Sequence, residues 1–244
     1  MDLIDGVIAA CRERLQWLFK DKDNLFVAKV YFKLKKYDPH EQKLSFRPMH
    51  TAKLIDLICM VSIMNCLMFD DDLDAGKRNL SDLSKLLPHN FYGNIPSTDV
   101  QYLFHRWQTK YKEYTEAVVE HCRAYQKNHS YLTEICLDIK NFFPSISPKM
   151  LYDYIISKLS RRYEDDNEAL SMAVSKLLYF KIQKENVEPW KDYYYPEGTD
   201  LTGVEEYMNC GIPQGLPQSY FFGNLCMIEV KNLLIKEGLF KGDA

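Results

Sequence analysis

Gly211-Ile-Pro-Gln-Gly-Leu-Pro-Gln-Ser-Tyr-Phe-Phe-Gly-Asn224 is the stretch on which the reading of this chain turns. Two glycines flank Pro213 in its first half. Glycine permits positive φ and the close approach of another backbone, while proline stiffens the turn. Gln214 can donate and accept hydrogen bonds at once. A helix is predicted from about Gln218 to Glu237, ended by Gly238. Ser219 and Asn224, five apart, share roughly one side of it. Ser219 also reads as part of a cap at the helix start.

About seventy residues upstream stands Leu137-Asp-Ile-Lys-Asn-Phe-Phe143. Ile135 to Ile139 is a short, bounded apolar run of the kind found in a buried strand. Asp138 falls at its end. A buried carboxylate without a partner is costly, so an aspartate there takes a partner, a metal, or the role of a cap for the turn from Asn141 to Ser147. Phe143 follows five residues on, past a tight turn, where it either packs or faces a ligand. Ser147-Pro148 has the composition of a helix start, and the helix after it presents Leu151, Tyr154, Ile155 and Leu159.

Working outward, the first twenty residues read as an amphipathic helix with Ile4, Val7, Ile8, Cys11, Leu15 and Leu18 on one face. The period then changes to two. Val30, Phe32 and Leu34 alternate with Lys29, Tyr31, Lys33 and Lys35, and Leu44 and Phe46 alternate with Lys43, Ser45 and Arg47, around turn residues 37 to 42. This is a β-hairpin over 29–47 with the charges of both strands on one face. Such a face is either a solvated surface or, given the motifs that follow, a site for a polyanion's phosphates.

Leu54 to Phe69 is the most apolar segment, interrupted by Asp56, Ser62 and Asn65, and reads as a buried central helix too short to span a bilayer. The acidic run Asp70 to Asp74 reads as a solvated loop, and 75–98 as irregular. A long helix is expected over 99–127, with Tyr102, Leu103, Trp107 and Tyr114 as core contacts. A second helix is expected over 161–185, and a short strand after Tyr193-Tyr-Tyr-Pro-Glu-Gly-Thr.

The composition is that of a globular protein: 244 residues, 46% apolar, 27% charged, enough to bury a sizeable core. The net charge of −3 neither supports nor excludes nucleic-acid binding, because a local basic stripe decides that. Seven cysteines, scattered and never in Cys-x-x-Cys spacing, point to reduced thiols and a cytoplasmic protein without a zinc site or disulfide framework. Asp2 and Asp5 stand where a signal peptide would be basic.

The spacing Gly-x-Pro-Gln-Gly-x-x-x-Ser with Asn five further on, preceded by Leu137 to Ile146, resembles the reverse transcriptases. It is closest to bacterial types related to group II intron and abortive-infection enzymes. Phe46-Arg-Pro-Met49 after the basic hairpin is similar to their fingers segment. The resemblance implies an α+β right-hand polymerase: fingers over 1–130, mostly helical and packed with the hairpin, and a palm over 131–244 with a small antiparallel sheet. The palm would carry motifs at 134–146 and 211–224.

By similarity, Asp138 is the catalytic ligand of two magnesium ions and Ile139 lends a backbone carbonyl. Phe143 lies under the sugar of the incoming nucleotide and rejects a 2′-hydroxyl. Arg47 and a hairpin lysine, Lys35, Lys36 or Lys43, hold phosphates. Gln214 and Gly215 line the nucleotide pocket, and Pro213, Ser219 and Asn224 contact template or primer. The implied partners are an RNA template, a DNA or protein primer, deoxynucleoside triphosphates and a non-coding RNA, with no membrane. An antiphage role fits the resemblance.

Two departures stand against it. The family's Tyr-x-Asp-Asp hairpin does not follow the last helix within these residues, nor does a thumb, so a longer chain is expected and these 244 residues alone are expected to be inactive. Pro217-Gln218 replaces the small residues usual in the middle of the second motif. Two other readings stay open. A viral-type RNA-directed RNA polymerase shares the palm logic but carries a second aspartate where this chain has Phe142 and Phe143. A non-catalytic module of the same shape would bind RNA or a partner subunit.

Overall fold

A computed structural model describes residues 3–74, 77–127, 138–139, 141–159, 167–183, 185, 191, 195 and 209–238, the side chains of 71–74 and 167 excepted. Helix α1 (Leu3–Lys20) leads to the hairpin β1 (Phe26–Asp38) and β2 (Lys43–Thr51), then to α2 (Leu54–Met68). A second hairpin, β3 (Phe69–Asp74) and β4 (Lys77–Leu80), precedes the short α3 (Asp82–Lys85) and the long α4 (Trp107–Gln126). After α5 (Phe142–Ser145) come α6 (Pro148–Leu159), α7 (Asn167–Leu178), β5 (Phe180–Ile182) and α8 (Pro217–Lys236). The fold is mixed α and β, with eight helices and two small sheets among the described residues.

Helix α2 is central, as its composition predicts. Cys59, Met60, Ile63, Met64, Leu67 and Met68 are buried along it, and it packs against α1, α7 and α8. Asp56 is buried on the same helix. A buried charge costs several kcal/mol unless it is paired, and Arg14 of α1 pairs it, Nε to Oδ1 at 2.6 Å. Lys176 of α7, 1% exposed, is satisfied differently. Its ammonium donates to the carbonyls of Asp21, Lys22 and Asn24 at 2.8, 2.7 and 2.7 Å, tying down the turn that feeds β1. One hydrophobic core runs through both halves of the chain, from Leu18, Phe26 and Met60 to Leu178, Phe222 and Leu225.

The larger sheet has the order β2-β1-β5, with β1 antiparallel to β2 and parallel to β5. In the hairpin Lys33 pairs with Arg47 and Leu34 with Phe46, but a bulge then intervenes and Lys36, not Lys35, faces Ser45. The bulge is what allows both strands to alternate in step. Its consequence is that Lys35 becomes the extra residue. The far half of the hairpin is exposed on both faces. Leu34, Leu44 and Phe46 are each about half exposed, so the apolar side expected to pack is open there.

Several expectations change. The acidic run is a strand, β3, held by β4 in register from Phe69↔Leu80 to Asp74↔Lys77, because β4 supplies the partner that an isolated acidic segment lacks. Helix α4 starts at Trp107, eight residues later than expected, and buries none of its residues. Trp107 and Tyr114 are exposed rather than core. Helix α7 stops at Leu178, because Phe180–Ile182 pairs with Phe26–Ala28 instead of continuing the helix. Ile4 and Ile8 on α1 are exposed, while Leu18 is buried. The strand expected after Tyr193 and the start of the helix expected at 161 lie outside the described residues. No antiparallel sheet is found in the second half among the described residues. No helix among them is long and apolar enough to cross a membrane.

Candidate functional site

The two motifs that stand seventy residues apart in sequence are joined through the backbone. Asn141, with φ +53°, makes the left-handed turn that opens α5. The Phe143 carbonyl then accepts from Ile146 N–H at 3.3 Å and from Ile212 N–H at 3.0 Å. Next to that bond the chains touch so closely that a Cβ on Gly211 would lie 2.3 Å from the Pro144 oxygen. Only glycine fits there. Phe143 stands edge-on to Tyr220 of α8, with centroids 6.4 Å apart at 86°, and to Phe142 at 5.2 Å and 64°. Gly223 lets the Phe142 ring approach α8, where a Cβ would be 3.2 Å from it.

The Pro-Gln-Gly turn is held from two further sides. Asn209 donates to the carbonyls of Leu178 and Gly211 and accepts from Phe180 N–H, at 2.8, 2.7 and 2.9 Å, which ties the approach to the turn onto β5. On the other side His50 of β2 donates its backbone N–H to the Gln214 carbonyl at 2.7 Å, and its Nδ1 lies 3.2 Å from the same oxygen. The His50 ring is buried against Phe180. Burial pushes its pKa down to about 4, against the opposing pull of the Gln214 carbonyl. The imidazole is therefore neutral at pH 7, with the proton on Nδ1 as donor. Gly215, at φ +113°, passes so near that a Cβ would sit 2.7 Å from the His50 oxygen.

The arrangement thus gathers Phe143, Pro213, Gln214 and Gly215, and docks them on the strand that carries Arg47 three residues before His50. Pro213 is buried, Gln214 half-buried and Arg47 exposed. Lys33, directly opposite Arg47, is the hairpin lysine that shares its position. Lys43 sits at the turn opposite Asp38, four residues and so roughly 13 Å along the strand from Arg47, and Lys35 is the bulge residue. His50 carries no motif in the sequence. Its role shows only once β2 and the turn are seen together. Lys33 was legible in the alternation, but symmetric counting from the turn puts Leu34 opposite Arg47.

The other predicted site residues are placed differently from expectation. Asp138 and Ile139 are exposed and belong to no strand, which corrects the reading of Asp138 as the end of a buried strand. A hydrated carboxylate there bears no burial cost and needs no partner. Residues 135–137 and Lys140 lie outside the described residues. Ser219 is fully buried and its hydroxyl has no hydrogen-bond partner among the described residues, so as placed it cannot touch a template. Asn224 is turned instead to the 90–94 loop, donating to the carbonyls of Gly93 and Asn94 at 2.6 and 3.2 Å.

A pair of magnesium ions asks for more carboxylate oxygens than Asp138 offers. Among the described residues no three acidic, histidine or cysteine side chains converge, so these residues do not by themselves make such a site. The string Tyr163-Glu-Asp-Asp166 precedes the second motif rather than following it, and it lies outside the described residues. The six cysteines among the described residues are free thiols. Compared with known proteins, no family model matches this chain, and neither a curated protein nor a solved structure matches it.

Proposed function

We infer that this chain is the fingers and palm portion of an RNA-directed DNA polymerase of the reverse-transcriptase type. It would add deoxynucleotides to a DNA or protein primer on an RNA template. The observation that supports this reading is the contact of Phe143–Pro144 with Gly211–Ile212, while Gln214 hangs from the strand of Arg47. A polymerase needs a sugar-facing aromatic, a turn beside the nascent base pair and a cation for the triphosphate in one place. Here the Phe143–Pro144 and Gly211–Ile212 segments are in contact, and Arg47 lies on the strand that holds the turn.

In this reading Arg47 and Lys33 bind the triphosphate, with charge-assisted hydrogen bonds from the guanidinium. Phe143 sits under the deoxyribose and excludes a 2′-hydroxyl. Gln214 and Gly215 face the nucleotide through a turn that His50 keeps fixed. Asp138 is a magnesium ligand with the Ile139 carbonyl beside it, although the described residues hold no group of three or more acidic, histidine or cysteine side chains. The setting is a reducing cytoplasm, where free cysteines persist, and the role is antiphage defence.

The exposed Asp138, with no group of three or more acidic, histidine or cysteine side chains among the described residues, favours a second reading. In that reading the chain is a non-catalytic module of the same shape that binds RNA or a partner subunit. Primer extension by the protein expressed from its own gene, with magnesium, deoxynucleotides and an RNA template, separates the two. The polymerase reading expects extension, and expects Phe143→Ala to raise ribonucleotide incorporation by about tenfold or more relative to deoxynucleotides, roughly 1.4 kcal/mol of discrimination. RNA binding without extension supports the module. Extension with unchanged sugar choice in the variant removes the role of Phe143.

A further inference from the structure

We propose that the aromatic pocket between α4, the 90–94 loop and α8 is a binding site for a nucleobase. The cavity measures about 510 Å³, within the range of small-molecule sites. Its long wall is Trp107, Tyr111 and Tyr114, at i, i+4 and i+7 on α4 and so on one stripe. An apolar stripe on a helix ordinarily faces a core. Here the three residues are 68%, 61% and 45% exposed, and α4 has no buried residue. Tyr92 closes one end, edge-on to Tyr114 with centroids 5.7 Å apart at 61°, and Tyr111 lies 6.3 Å from Tyr114. The rings are held by one another rather than by the core.

Asn224 of α8 gives the pocket its polar handle. Its amide nitrogen donates to two carbonyls, Gly93 at 2.6 Å and Asn94 at 3.2 Å. Two carbonyl acceptors leave no ambiguity about which end of the amide is which, so Oδ1 is turned away from the loop. That oxygen takes no hydrogen bond from the described residues, and it is not among the buried orphaned atoms. The pocket therefore offers flat aromatic faces together with the solvated Oδ1 of Asn224 and the amide of Asn90, whose Oδ1 is buried without a partner among the described residues, and among them no charged side chain lines it. A planar, uncharged ring with an N–H on its edge fits that description. Every nucleobase has one, and base–aromatic stacking supplies affinity without sequence preference. A phenylalanine side chain of a peptide would fill the rings' faces but could not itself donate to Asn224 Oδ1. The base comes either from a free nucleoside or from an unpaired position in a single strand. None of Arg47, Phe143 and Gln214 lines this cavity, but Asn224, which the resemblance makes a template or primer contact, does, so a bound strand would agree with the polymerase reading and a free nucleoside would stand apart from it.

Calorimetric titration of the purified protein with adenosine and with single-stranded oligoadenylate, in the absence of magnesium and primer, tests it. The variants are Trp107→Ala and Tyr111→Ala, both at exposed positions, with folding checked by circular dichroism. Binding of at least one probe is expected, weakened about tenfold or more by each variant. Adenosine binding without oligoadenylate binding assigns the site to a free nucleoside. Binding of the oligomer places a strand's base there. No binding of either probe, or binding that both variants leave unchanged, overturns the proposal. Failure of primer extension by the protein expressed from its own gene, alongside binding that depends on Trp107, would remove the polymerase reading and leave the pocket.

Discussion

His50 is the residue through which the hairpin holds the Pro-Gln-Gly turn, and its burial gives the fold a pH dependence. In the folded chain its pKa lies at about 4, against 6.5 in the open. Below pH 6.5 the unfolded chain therefore binds a proton that the folded chain refuses, and stability falls as pH drops toward 4. Between pH 7.5 and 5 this linkage is worth about 2 kcal/mol. Denaturant unfolding at both pH values should show the native protein losing about that much more stability than His50→Gln, which has no group to titrate. Equal losses would mean the imidazole is not buried against Phe180 and the Gln214 carbonyl. Nothing around His50 in the sequence marks it, because its partners are 130 and more residues away. Phe143 was legible by contrast, since five residues from Asp138 is a spacing that can be counted.

The elements themselves were largely readable, and where they were not the cause is a partner supplied from elsewhere. Helices α1, α2, α6 and α8 follow from periodicity and their end signals, and the hairpin from alternation. The bulge at Lys35 was implicit: 38↔43 near the turn and 33↔47 further out cannot both hold without one extra residue. β5 was hidden, because three residues after a helix carry no periodic signal and only β1 makes them a strand. Lys176 reads as an ordinary surface lysine until the three carbonyls it serves are in place. The contact of the two motifs rests on Gly211, which makes a sharp prediction at this scale. Gly211→Ala must force Pro144 and the turn apart and should cost roughly 1–3 kcal/mol or more. Gly6→Ala, with open space around its Cβ on α1, should instead stabilise by about 0.5–1 kcal/mol. Thermal unfolding of the pair checks this. A Gly211→Ala variant as stable as the native protein would contradict the close approach.

For the whole molecule, helices beside a β-hairpin followed from pattern, whereas the single core joining both halves did not, and the candidate site divides between what the sequence states and what only folding assembles. The Pro-Gln-Gly turn, Phe143 and Arg47 could be named from spacing. The joining of the turn to Phe143–Pro144 and to His50 could not, nor could the removal of Ser219 into the core or the turning of Asn224 toward Gly93. The central claim is that the assembled site transfers nucleotides with Asp138 as a metal-binding carboxylate. The measurement that bears on it most directly is primer extension by the protein expressed from its own gene, with magnesium and an RNA template, native against Asp138→Asn. The account predicts magnesium-dependent incorporation of deoxynucleotides that falls by a factor on the order of a thousand or more in the variant, about 4 kcal/mol of transition-state stabilisation. Absence of incorporation by the native protein, or full incorporation by Asp138→Asn, would contradict it.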